Sequence, residues 1–155
     1  MPSTRWIIDF ECFHCGNVFY PVELTLLNAI TPSQFYTYYI RHDSSNFCFY
    51  GLTTNWQYQR HGIKWDDGDK SLPEVIQLLK HLISTDDTIH VKGHEKWQMI
   101  KSWLAPENNY VFEIIDAPAF HTLKGSMDKT CFVHRHNVNF ECAQRKAFRL
   151  IPYVV

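Results

Sequence analysis

The spacing of apolar positions divides the chain into elements before any residue is read for chemistry. Trp6-Ile7-Ile8-Asp9-Phe10-Glu11-Cys12-Phe13 is rich in β-branched and aromatic residues and predicts a strand. Asp9 and Glu11 are two apart, so they share one face of it. A turn over residues 13–17, containing Gly16-Asn17, leads to a second strand, or pair of short strands, over residues 18–30. Within it, Pro21-Val22-Glu23-Leu24-Thr25-Leu26-Leu27 holds a carboxylate in an apolar run. Glu23 is either at an edge facing water or neutralised by a cation, because burying a bare carboxylate is expensive. Phe35-Tyr36-Thr37-Tyr38-Tyr39-Ile40 is a third strand, and the three together predict an antiparallel meander.

From His42 to Lys70 the periodicity is lost and Gly51, Gly62 and Gly68 enter among aromatics such as Trp56, Tyr58 and Trp65, which predicts a packed loop. Ser71-Leu72-Pro73-Glu74 is a capping box, and Leu72, Val75, Ile76, Leu79, Leu82 and Ile83 follow at helical spacing. Thr88 to Gly93 reads as a short strand. Glu95 to Leu104 reads as a helix with Trp97, Ile100, Trp103 and Leu104 inward. Tyr110 to Ile115 is another strand, and Glu141 to Ile151 a last helix with Ala143, Ala147, Leu150 and Ile151 on its face. Three antiparallel strands, then helix, strand, helix, strand, loop and helix, is the element order of an RNase H-like fold. The expectation is therefore α/β, a mixed sheet flanked by helices, formed as one domain over residues 1–155.

Composition narrows the function classes. With 45% hydrophobic and 20% charged residues the chain is globular, and a net charge of −1 excludes binding to nucleic acid by global basicity. The charge is uneven, however. Between Lys124 and Arg149 there are six basic residues (Lys124, Lys129, Arg135, Arg145, Lys146, Arg149) against Asp128 and Glu141. No run approaches the roughly 18 apolar residues of a membrane span. Five cysteines and an N-terminus without a signal-like apolar core place the protein inside the cell, in cytoplasm or nucleus, where thiols stay reduced.

Those cysteines carry the strongest local pattern. Cys131-Phe132-Val133-His134, followed by Cys142, brings two soft ligands onto one turn and a second thiolate back toward it, a donor set that suits tetrahedral zinc. The fourth ligand must come from upstream, either from the Cys12-x2-Cys15 pair or from Glu23. Cys12, His14 and Cys15 also form a cluster that could be a secondary metal site or incidental. His42, His90, His94 and His136 have no partners at ligand spacing.

Taken together these pieces resemble the DEDDh 3′–5′ exonucleases, and within them the zinc-containing branch that includes the arenavirus nucleoprotein exonuclease domain and the Maelstrom domain. Asp9-Phe10-Glu11 looks like the first exonuclease motif, and His61-Gly62-Ile63 resembles a turn of that branch. The resemblance implies a structural zinc held by Glu23, Cys131, His134 and Cys142. It also marks departures. The position of the second-motif aspartate is Lys96, the histidine before the last zinc cysteine is Glu141, and the aspartate four residues past that cysteine is Lys146. Asp9 and Glu11 are then remnants, because two-metal cleavage needs carboxylates around both ions and a base for water. The resemblance implies that Lys96 and Lys146 converge on them and supply the positive charge of the lost metals, with both lysines pointing to solvent as the simpler reading.

The expectation is a catalytically degenerate, zinc-stabilised domain that binds single-stranded RNA or a protein partner, in the manner of small-RNA silencing factors. Arg135, Arg145, Lys146 and Arg149 are the candidate phosphate contacts, with a solvated helix face as the simpler reading. Two alternatives remain: an active Mg- or Mn-dependent ribonuclease using Asp9 and Glu11 with Glu95, Glu141, Asp66 or Asp67, and a purely structural protein adaptor.

Overall fold

The computed structural model describes residues 3–15, 18–42, 62–64, 66–104, 109–119 and 142–154. The first three strands are β1 (Arg5–Cys15), β2 (Val18–Asn28) and β3 (Phe35–Tyr39). Helix α1 (Leu72–Leu82), strand β4 (Thr88–Val91), helix α2 (His94–Leu104) and strand β5 (Val111–Ile114) follow, and α3 (Ala143–Arg149) ends in a 3₁₀ turn at Ile151–Tyr153. The sheet order is β3-β2-β1-β4-β5. β1 pairs antiparallel with β2, and β2 with β3, whereas β1–β4 and β4–β5 are parallel. The fold is thus mixed α/β, among the described residues a five-stranded mixed sheet flanked by three helices, and its layout is compatible with an RNase H-like one. Among the described residues no helix is long and apolar enough to cross a membrane.

The alternation of β1 sends its side chains to two different layers. Trp6, Ile8 and Phe10 join Leu24, Leu26, Ile89 and Val91 under α1 and α2, where Val75, Leu79, Ile100 and Leu104 are buried. Ile7 and Leu27 lie on the other face, against Ala147, Phe148 and Leu150 at the C-terminal end. Asp9 and Glu11 continue that second face, which is therefore apolar at one end and charged at the other. The β1–β2 register slips at Glu11/Cys12: Glu11 opposes Glu23 and Cys12 opposes Pro21, so Val22 is the extra residue. Pro21 fits a strand at this point because a bulge relieves it of a ladder hydrogen bond.

The loop before α1 is held by one close approach. A Cβ on Gly68 would lie 2.3 Å from the Ile40 carbonyl carbon and 2.4 Å from the Arg41 nitrogen, so only glycine lets this segment lie against the end of β3. Residue 70 then bridges Ile40 in parallel. Helix α1 starts as expected, with Ser71 Oγ accepting from Glu74 N–H at 3.3 Å and Pro73 in the first turn. The last helix is shorter than the apolar pattern suggested. It is α-helical only from Ala143 to Arg149 and tightens at Ile151-Pro152, where proline cannot continue the hydrogen-bond ladder. Of the loop expected over residues 42–70, residues 43–61, including His61, and residue 65 lie outside the described residues, as do residues 120–141, including Glu141, the expected start of the last helix.

Candidate functional site

Asp9 is the first residue of β1 beyond its ladder with β4, which ends at the Ile8–Val91 pair. The space opened there is entered by two lysines. Gly93, at φ 97°, turns the chain from β4 into α2, and its carbonyl accepts from Trp97 N–H at 3.0 Å. That turn sets Lys96 in the first turn of α2, with Nζ donating to Asp9 Oδ1 at 2.7 Å and lying 5.3 Å from the centre of the Phe10 ring. From the opposite side, Lys146 of α3 places its Nζ 3.6 Å from Asp9 Oδ2 and in an ion pair with Glu11 Oε1. Asp9 is fully buried, the Lys146 side chain is 10% exposed and that of Lys96 is 25% exposed. Burial pushes the Glu11 carboxyl above the usual range, opposed by the Lys146 and Lys96 charges and reinforced by Asp9.

Chemically, this arrangement sets two ammonium groups against two buried carboxylates. Among the described residues no group of three or more His, Cys, Asp or Glu side chains is disposed to bind an ion. Glu95, Asp66 and Asp67, offered above as substitute ligands for an active nuclease, are exposed. Asp67 instead lines a cavity of about 230 Å³ with Tyr39, Gly62, Ile63 and Asp69.

Glu23 sits on the same face as Glu11 and directly opposite it. It is fully buried, and Oε1 accepts from Ala143 N–H at 2.6 Å, so this β2 carboxylate closes the first turn of α3. Cys142, the N-cap residue of that helix, is buried and makes no side-chain cap hydrogen bond. Two of the four expected zinc donors, Glu23 and Cys142, therefore meet at one helix start. Cys131 and His134 lie outside the described residues, as does Arg135.

The basic residues of α3 do not form the solvated face considered above. Arg145 and Lys146 are each 8% exposed, and Lys146 is committed to Asp9 and Glu11, so charge pairing beneath the helix has won over exposure. Arg149 is half-buried. Beside them Gln144 Oε1 accepts from Thr37 Oγ1 at 2.9 Å, and Thr37 is 2.8 Å from Thr25 Oγ1, a polar link from α3 to β2 and β3 that the sequence did not reveal.

Cys12 packs into the apolar layer under α1 and α2, where burial raises its thiol far above the ordinary range. His14 stacks on Phe19 with ring centres 4.3 Å apart. The Cys15 side chain lies outside the description. No protein-family model matches this chain, and no curated protein matches it either.

Two other histidines give the site's scaffold a pH dependence. His42 Nε2 is 2.5 Å from the Pro21 carbonyl oxygen, and His90, on β4, has Nδ1 3.5 Å from Glu113 Oε2. Burial is the main cause that lowers both below their usual 6.5, against the Pro21 hydrogen bond at His42 and the Glu113 charge at His90. Below 6.5 the unfolded chain takes up protons that the folded chain resists, so stability falls as pH drops from that value toward the folded pKa values. Glu11 acts in the opposite sense, since its raised value makes the fold lose stability as pH rises from 4.5. The histidine contribution is therefore read by difference. Urea midpoints measured from pH 8 to pH 5 should fall more steeply for wild type than for a His42→Gln, His90→Gln variant, and equal slopes would refute the assignment.

Proposed function

We propose that this chain is a catalytically degenerate, zinc-stabilised RNase H-like domain of the DEDDh exonuclease kind, which acts by binding rather than by hydrolysis. The observation that carries the reading is the pair of ammonium groups on Asp9 and Glu11. Lys96 and Lys146 stand where the resemblance places metal-holding aspartates, and both reach the remaining acids. Two positive charges are already supplied, without the Lewis acidity or the activated water that phosphodiester cleavage requires.

A structural zinc held by Glu23, Cys131, His134 and Cys142 fits the part of the site that is described. A fully buried Glu23 lies at the same helix start as a buried Cys142, and a carboxylate so placed gains from a cation. When bound, zinc would fasten the C-terminal helix to β2 through these residues, and metal affinity would then be folding free energy.

For the partner, RNA remains the reading the resemblance favours, in small-RNA silencing. A protein partner gains weight from one observation, the burial of Arg145 and Lys146, which withdraws two of the four proposed phosphate contacts. A single-stranded RNA cleavage assay with Mg²⁺ or Mn²⁺ should show no turnover. Cutting that depends on the metal and disappears in Asp9→Ala would return the chain to the working nucleases. RNA affinity that falls steeply with salt supports the RNA reading, whereas no RNA binding at low salt leaves the adaptor.

A further inference from the structure

In a non-hydrolytic domain Asp9 and Glu11 have no reaction to perform, yet both stay buried on the central strand beneath α3. Retaining them is costly unless the charges are used. Helix α3 has only seven residues, too few to persist without tertiary anchors. Its apolar anchors, Ala147 and Phe148, grip one end of the sheet face. At the other end Lys146 meets Asp9 and Glu11.

Building on that reading, we propose that the acid pair has become a metal-free clamp: Lys146 pins α3 to the central strand, and Lys96 fastens the start of α2 to the same Asp9. Three elements distant in sequence are joined through two carboxylates, and the four charges cancel within the group. The lysines are not equivalent. Lys146 is the more deeply buried and lies between both acids, whereas Lys96 reaches Asp9 from the rim. A divalent ion entering here must displace an ammonium group that belongs to a helix, so binding such an ion and holding the helices compete.

The test compares Lys146→Met, Glu11→Gln and the double variant by amide hydrogen exchange on the protein as purified. Lys146→Met leaves two buried carboxylates short of a cation, and the α3 amides should exchange about 100-fold faster or more. Adding Glu11→Gln removes one of the stranded charges, and most of that protection should return, because deleting both partners costs less than deleting one. Wild-type exchange in Lys146→Met, or a double variant no better protected than the single, overturns the clamp. If Lys146→Met does not fold, Lys96→Gln at the rim keeps the question open to measurement. It should speed exchange in the first turn of α2 by about tenfold or more while leaving α3 protected, and unchanged exchange there overturns the proposal. Calorimetry with Mn²⁺ should give no binding heat in wild type, and heat that is lost in Asp9→Asn also counts against the clamp. RNA cleavage by wild type would sink the non-hydrolytic reading on its own, independently of these exchange results.

Discussion

Replacing Asp87 with alanine should lower stability by about 3–5 kcal/mol, because a buried charged acceptor would leave several donors without a partner at once. Asp87 precedes β4 and is 7% exposed. Its Oδ1 accepts from Thr4 N–H at 2.8 Å, and its Oδ2 accepts from Trp6 Nε1 and Ser84 N–H, each at 2.9 Å. One carboxylate thus fixes the start of β1, the indole of a core tryptophan and the turn between α1 and β4. Asparagine keeps one acceptor oxygen and loses the charge, so Asp87→Asn should fall between wild type and alanine. Urea unfolding measures all three, and a loss below about 1 kcal/mol in Asp87→Ala would show that water replaces the bonds. Because Asp87 lies at the opposite end of β4 from Gly93 and Lys96, the fold should weaken without a change in the charge balance around Asp9.

Asp87 also marks where reading the sequence stops. Nothing in Ser84-Thr85-Asp86-Asp87 separates the buried acid from the exposed Asp86, since the difference arises only when the first strand folds over the turn. Strands β1 to β3 and helix α1 were legible because period-2 and helical spacing are local properties, as is the Ser71 cap. Glu23 was legible as an anomaly, a carboxylate among apolar neighbours. Its contact with the backbone of Ala143 was not, because it joins residues 120 apart. The burial of Arg145 was not legible for a related reason, whereas the convergence of Lys96 and Lys146 on Asp9 and Glu11 was expected from the resemblance. A cation on a short helix reads as solvated until tertiary structure supplies buried acids beneath it, and only the correspondence of Lys96 and Lys146 with lost aspartates hinted that it would.

Glu23 offers the sharpest separation between a metal site and an ordinary helix cap. Its buried carboxylate accepts from Ala143 N–H at 2.6 Å, next to Cys142. If Glu23 only caps the helix, Glu23→Gln retains an acceptor oxygen in nearly the same place, and the loss should stay near 1 kcal/mol. If Glu23 also holds zinc with Cys131, His134 and Cys142, the amide is a far poorer ligand than the carboxylate. The variant should then lose its bound metal together with much of the folding free energy that structural zinc supplies, a contribution of about 10 kcal/mol or more in small zinc-dependent folds. The zinc reading accordingly expects about one zinc per wild-type chain by elemental analysis, and a Glu23→Gln protein that is metal-poor and insoluble or loosely folded. Cys142→Ser should behave the same way, although its side chain makes no cap hydrogen bond in the helix. A Glu23→Gln protein as stable as wild type, or zinc unchanged in Cys142→Ser, would remove the metal from this site and leave the carboxylate as the cap of α3 alone.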